Sequence, residues 1–264
     1  MPVRTRPLCR ATVIRAGSGG IMRQILLCAF IWTAAVWPAA GHAQDMFWST
    51  TLPAITGTDT LGLHLRELRE QQPNGGQRRA QPNPVPGTPS AAAFRYTPSP
   101  QRRAANLAQF VAKSRQNDPR GADDLARLFA SGDVIEKMRA PLAKVGLRVD
   151  DVADAYTVYW VNAWQASRGV DYEISRHTAT AVRSQVAGVM ASTGALRGAG
   201  DAARQEMAES LLIQAMLIEA AVQQSKGNPE LGHQLATAVS QGARGMNLDL
   251  AGMTLTEDGF VSED

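Results

Sequence analysis

The fold is decided by the stretch Val152-Ala153-Asp154-Ala155-Tyr156-Thr157-Val158-Tyr159-Trp160-Val161-Asn162-Ala163-Trp164-Gln165. At 3.6 residues per turn, its apolar side chains occupy two faces of a helix. One face carries Val152, Tyr156, Tyr159 and Ala163, and the other carries Ala153, Trp160 and Trp164. Because protein must cover both faces, the stretch predicts a helix at the centre of a bundle.

Start signals for further helices recur on both sides of this stretch. Seven helices are predicted, and they begin at Ser99, Asp118, Asp133, Asp150, Ser175, Asp201 and Asn228. Gly146, Gly169 and Gly227 are stop signals, and the fifth and seventh helices are expected to end near Ala191 and Gly242. The sequence therefore predicts an all-α fold, a compact bundle of about seven helices over residues 94–262.

The sixth helix contains an apolar run over residues 211–222, which is too short and too polar to cross a membrane and is expected to be buried by protein. Strand-like alternation occurs only over residues 248–255, a stretch too short and isolated to form a sheet alone.

Residues 22–43 have the pattern of a cleavable export signal, with Met22 as the predicted start of translation. Arg23 precedes thirteen uncharged residues, 25–37, which are fewer than the roughly 20 that cross a bilayer. Small residues before Gln44 predict cleavage after Ala43, and an uncleaved membrane anchor is the alternative. We expect a periplasmic or secreted protein without a stable membrane span after cleavage.

Cleavage changes the charge and the cysteine content. It removes five arginines and both cysteines, Cys9 and Cys28, and leaves 22 basic against 24 acidic residues. The remaining net charge is about -2, so the basic character of the precursor does not indicate nucleic-acid binding, and no nucleic-acid partner is predicted. A chain without cysteine has no disulfide, no thiolate nucleophile and no cysteine metal site.

Between the signal and the helical domain, the composition changes twice. Residues 44–72 form a short N-terminal segment with the apolar residues Met46, Phe47 and Trp48 and a leucine-rich stretch, 61–68. Residues 73–99 are rich in proline and glycine and predict a disordered linker.

Four stretches resemble a known family. They are Phe94-Arg95-Tyr96-Thr97-Pro98-Ser99, the 152–165 stretch, Gln205-Glu206-Met207-Ala208-Glu209 and Leu255-Thr256-Glu257-Asp258-Gly259-Phe260. They look like an uncharacterised family of exported bacterial all-helical proteins, classed only as a domain of unknown function. The resemblance covers roughly residues 94–261, and the N-terminal segment and linker lie outside it. It implies the fold and brings no activity, ligand or catalytic residue.

Sequence motifs for catalysis or cofactor binding are missing. The chain has no His-Glu-x-x-His, no Gly-x-Ser-x-Gly and no Gly-Lys-Ser phosphate loop, so no cofactor is predicted. His64, His177 and His233 lie in separate elements, which favours surface histidines over a metal site.

Three carboxylates are the candidate catalytic groups: Asp154, Glu206 and Glu219. Asp154 falls where negative charge favours a helix N-terminus, and Glu206 with Glu209 is expected on the solvated surface. Glu219 interrupts an apolar run, so it is either buried with a raised pKa or able to reach water.

Five side chains around Asp154 are the candidate binding residues: Tyr156, Tyr159, Trp160, Asn162 and Trp164. Aromatic rings with a few polar groups can line a groove for a sugar or a peptide. The favoured interpretation is structural, in which the rings belong to the core and Asn162 hydrogen-bonds a neighbouring helix.

These features favour a non-catalytic binding or scaffolding protein whose partner is an envelope protein or a cell-wall component. The contact would involve residues 46–48 or the leucine-rich stretch. The alternative is a hydrolase of envelope glycan or peptide that uses the carboxylates as general acid or base. A third possibility is an apolar ligand enclosed between the fourth and sixth helices, in a cavity between Tyr159, Trp160 and Leu212.

The export signal can be tested on the protein isolated from producing cells. Because Gly41 and Ala43 place small residues at positions -3 and -1, N-terminal sequencing should return a chain that begins at Gln44. A mature chain that retains residues 25–37 would contradict cleavage.

Overall fold

The structure, a computed structural model, describes residues 91–246 and 248–263. The predicted signal peptide (1–43), the N-terminal segment (44–72) and residues 73–90 of the predicted linker lie outside these described residues. The described part begins with a 3-10 turn, Ala91–Phe94. Seven α-helices follow and confirm the all-α prediction: α1 (Pro100–Asn117), α2 (Pro119–Ala130), α3 (Val134–Lys144), α4 (Val152–Arg168), α5 (Arg176–Thr193), α6 (Asp201–Ser225) and α7 (Pro229–Gly245).

Capping side chains explain where the helices begin. Before six of the seven described helices, a side-chain oxygen accepts a backbone hydrogen bond, from Ser99, Asp118, Asp133, Asp151, Ser175 and Asn228. The cap of α4 is Asp151 and not the predicted Asp150, because Asp151 accepts from two backbone N–H groups. The exception is α6, which follows Gly200 without a side-chain cap. α5 continues to Thr193 and α7 to Gly245, both slightly beyond their predicted ends.

The core is centred on the contact between α4 and α6. Leu211 and Leu212 of α6 are fully buried, as is Val152 of α4. α5 and α7 cover other sides of α4, while α1 packs on α6 and α2 packs on α1. The fourth and sixth helices are therefore central, as their apolar surfaces predict. Within the described residues, none of the helices has the length and apolarity needed to cross a membrane.

The described residues end in a β-hairpin, and the expectation that the 248–255 stretch is isolated is wrong. Strands β1 (Met253–Thr256) and β2 (Gly259–Ser262) are antiparallel. The hairpin is not isolated, because it packs on α4 and α5. Trp160 stacks on Phe260 with 4.4 Å between ring centroids, and the side chain of Gln185 hydrogen-bonds both the N–H and the carbonyl of Phe260. These tertiary contacts stabilise strands that are too short to persist alone.

Gly259 is required at the start of β2, and its substitution tests the hairpin contact. Its φ is +105°, and an added Cβ would lie 2.6 Å from Oε1 of Gln185. We expect Gly259→Ala to lower the free energy of unfolding by about 1–3 kcal/mol in urea titrations. Gly188→Ala is the matched control, because Gly188 is exposed in α5 with open space around its Cβ position. Gly188→Ala should raise the free energy of unfolding by up to about 1 kcal/mol. Equal effects of the two substitutions would contradict the requirement for glycine at position 259.

Candidate functional site

The aromatic side chains of α4 are covered by the hairpin and by one another. The ring of Trp164 lies edge-on to Phe260, with 6.0 Å between the ring centroids. Its Nε1 donates a hydrogen bond to the carbonyl of Met253 at 2.8 Å. The ring of Tyr156 makes edge contacts with Tyr159 and Trp160, at centroid distances of 6.2 Å and 6.3 Å. Since Trp160 also stacks on Phe260, these rings do not form an exposed wall for a sugar or a peptide.

Asp154 is held at the start of α4 by two partners. It is 2% exposed, and Nε of Arg183 donates to its Oδ1 while the N–H of Arg148 donates to its Oδ2 at 2.8 Å. Burial, together with the neighbouring Asp151, raises the pKa of Asp154 to about 6, and Arg183 opposes the shift. Arg183 also bonds Asp151, so the cluster joins α4 to α5. Both oxygens of Asp154 are thus engaged within the protein.

Glu209 is fully buried, which differs from the surface position expected for it. Its carboxylate accepts from Arg103 at 2.8 Å, from Asn106 at 2.7 Å and from Gln205 at 2.9 Å. Glu206 is half-buried on the same helix. The spacing of the two acids could not reveal the difference, because the partner Arg103 is 106 residues away in sequence. The network joins α1 to α6.

The structure does not bring the candidate acids together as a catalytic pair. Glu206 and Glu219 are thirteen residues apart on α6, which is about 20 Å along the helix axis. Paired carboxylates that hydrolyse glycosidic bonds are about 5–9.5 Å apart. Asp154 has no unbound carboxylate oxygen. The hydrolase interpretation receives no support from this arrangement.

Glu219 lines a pocket of about 70 Å³, which we name the Glu219 pocket. The pocket is bounded by the end of α3, one face of α4, residues 171–174 and α6. Its apolar lining consists of Leu142, Val145, Leu147, Val158, Val161 and Ile174. It is not the cavity expected between Tyr159, Trp160 and Leu212, since none of those three residues lines it.

Hydrogen bonds fix the polar side chains of α4 that line the Glu219 pocket. Nδ2 of Asn162 donates to the carbonyl of Ala215 on α6 at 3.3 Å. Nε2 of Gln165 donates to the carbonyl of Tyr172 at 2.9 Å and so holds the connection between α4 and α5. Tyr172 lines the pocket and is 45% exposed, so the pocket reaches the protein surface there.

The acidic groups of the Glu219 pocket differ in how they are bound. Oε1 of Glu219 accepts from Gln223 at 2.8 Å, and among the described residues no donor reaches its Oε2. Oδ2 of Asp171 accepts from Lys226 at 2.7 Å and from Gln223 at 3.1 Å. Glu219 is 6% exposed, and burial raises its pKa. Asp171 adds to this shift, whereas the bond from Gln223 and the charge of Lys226 oppose it.

Sequence analysis identified Glu219 and Asn162 but missed Gln165, Asp171, Tyr172 and Glu173 as pocket residues. The signal was present in Asp171-Tyr172-Glu173, two acids and an aromatic residue in the connection after Gly169. Polar and aromatic side chains on a connection between two well-defined helices often belong to binding sites.

The histidines in the described residues lie at the surface. His177 is exposed near the start of α5 and hydrogen-bonds Asp258 at 2.9 Å, and His233 is exposed on α7. His64 lies outside the described residues. Over residues 91–246 and 248–263, no group of three metal-ligating side chains comes together.

The family of this chain follows from a comparison with protein-family models. The model "Family of unknown function (DUF6683)" matches residues 22–261. The chain belongs to this family. The match is longer than the resemblance over residues 94–261, since it begins at Met22 and includes the N-terminal segment and linker. No curated protein and no solved structure matches the chain.

Glu219→Gln tests the electrostatics of the pocket through stability. A carboxyl with a raised pKa binds its proton more tightly in the folded state, so wild-type stability falls as pH rises from about 4.3, the unfolded value, through the raised pKa. Glutamine does not titrate and can still accept the bond from Gln223. We expect the stability of Glu219→Gln relative to wild type to increase between pH 4 and pH 8 in urea titrations.

Glu257→Gln is the control for this titration, because Glu257 is exposed in the turn of the hairpin. Its stability relative to wild type should not increase in parallel with that of Glu219→Gln. If the difference in unfolding free energy between Glu219→Gln and wild type stays constant with pH, the pKa of Glu219 is not raised in the folded protein.

Proposed function

We propose that the protein is an exported binding protein of the cell envelope that receives part of a ligand in the Glu219 pocket. The observation that carries the proposal is the buried carboxylate of Glu219, which lines an apolar pocket with one oxygen unbound by protein. The unbound oxygen is accessible and not sealed within the core, so a ligand group in the pocket can reach it. A few polar groups in an apolar concavity are typical of a ligand site.

Two other buried acids support binding over catalysis. Arginine side chains pair with Glu209 and Asp154, and both oxygens of each acid accept hydrogen bonds within the protein. Neither acid therefore has a free oxygen that could transfer a proton to or from a substrate. The pocket is about half the 150 Å³ of an engineered cavity that holds benzene, so it is too small to enclose a sugar ring. It suits one slender group of a larger ligand.

Several sequence features support export. Residues 22–43 carry the pattern of a cleavable signal, and the family match begins at Met22, the predicted start. Both cysteines precede the predicted cleavage site. The proposed partner is therefore an envelope protein or a cell-wall component, and residues 46–48 and 61–68 are proposed as additional contacts.

Binding can be measured with small probes by NMR on the purified mature protein. We expect at least one of n-butanol, n-butylamine and butyrate to shift the amide signals of Val161, Ile174 and Glu219, because these residues line the pocket. Ile174→Trp should abolish the shifts, since the larger ring fills the space. Val189→Trp is the matched control, because Val189 is 57% exposed on α5 and does not line the pocket.

Two results would contradict the binding function. One is the absence of any shift at pocket residues with all three probes. The other is a response of Ile174→Trp equal to that of Val189→Trp.

A further inference from the structure

We infer that the Glu219 pocket binds a primary alkylammonium group, with the alkyl stem against the apolar lining and the ammonium against Glu219 and Asp171. This inference rests on the proposed function, because it names the ligand class of the same pocket. It follows from the charge of the lining, the unbound oxygens and the size of the pocket.

The charge of the lining is uniformly acidic. Asp171, Glu173 and Glu219 line the pocket, and no lysine or arginine does. Lys226 lies outside the lining and offsets the charge of Asp171, so the excess negative charge comes from Glu173 and Glu219, which form no salt bridge among the described residues. This charge disfavours a carboxylate or phosphate ligand and attracts a cation. Because part of the site is buried, solvent screens this attraction less than at an open surface.

The unbound oxygens match the donors of an ammonium group, which has three N–H groups and no acceptor. Among the described residues, no donor reaches Oε2 of Glu219, Oδ1 of Asp171 or the carboxylate of Glu173. The protein provides one example of the interaction itself, since the ammonium of Lys226 lies 2.7 Å from Oδ2 of Asp171. A ligand ammonium would use the acceptors that Lys226 leaves unused.

The size and lining of the pocket select the stem that carries the ammonium. About 70 Å³ bounded by Val158, Val161 and Ile174 accommodates a linear chain of a few carbons and disfavours a ring. A compact ammonium on a flexible stem fits this space better than a planar guanidinium, whose donors form a rigid fork. A trimethylated ammonium lacks the N–H donors that the carboxylates require.

The test compares four probes on the mature protein at pH 7 by NMR titration: n-butylamine, n-butanol, butyrate and N,N,N-trimethylbutylammonium. We expect n-butylamine to bind at least about tenfold more tightly than n-butanol, the effect of one charge-assisted hydrogen bond. Butyrate and the trimethylated probe should bind more weakly than n-butylamine. If n-butanol binds in the pocket as tightly as n-butylamine, the inference fails and the proposed function stands. If no probe binds, both fail.

Variants locate the ammonium within the pocket. Glu219→Gln should weaken n-butylamine binding by about tenfold and leave n-butanol binding unchanged. Glu173→Gln is a second variant, at an exposed residue outside the core. It should weaken n-butylamine binding less than Glu219→Gln does. Glu257→Gln, far from the pocket in sequence and not part of its lining, should change neither. Unchanged n-butylamine binding in both Glu219→Gln and Glu173→Gln would overturn the inference.

A second pair of probes distinguishes the sources of the group. A lysine residue blocked at both ends represents a peptide side chain, and 1,5-diaminopentane represents a free diamine. Binding of either one, weakened by Glu219→Gln, supports the alkylammonium class and identifies its source. Failure of both, together with n-butylamine binding no more tightly than n-butanol, would overturn it.

Discussion

The mutual burial of α4 and α6 is the constraint on which the other contacts depend. Both helices are apolar on more than one face, so neither can be covered by the other alone. α1 completes the cover of α6, and α5, α7 and the hairpin complete that of α4. Polar side chains on the two central helices are consequently buried with them, and each needs a partner inside the protein.

The buried acids of the central helices differ in how they meet this need. Glu209 accepts three hydrogen bonds, including one from Arg103, and Asp154 is paired with Arg183. Glu219 receives a single bond from a neutral side chain, Gln223. Removing Glu209 or Asp154 would take one ion-pair partner from Arg103 or Arg183, whereas Glu219 has no such partner to lose. This contrast distinguishes an acid available to a ligand from acids that hold helices together.

The stretches that carry the family resemblance contact one another in pairs. Residues 94–99 pack beside residues 205–209, where Gln205 bonds both the N–H and the carbonyl of Ser99. The 152–165 stretch packs beside residues 255–260 through Trp160 and Phe260. These stretches therefore build the fold, which explains why the resemblance implied an architecture and no activity. Residues 171–174 of the pocket lie outside all four stretches.

The parts of the structure that sequence analysis predicted correctly depend on local interactions, and the parts that it missed depend on distant ones. A cap such as Ser99 acts on the N–H of a residue three positions away, so helix starts can be read from the chain. The hairpin requires Trp160, about 100 residues before Phe260, and the burial of Glu209 requires Arg103. The pocket depends even more on distant packing, since an acid within an apolar run shows neither whether it is buried nor what it contacts there. Whether it meets an arginine or an open space is decided by which connection folds over it, and here that connection brings two further acids in place of a cation.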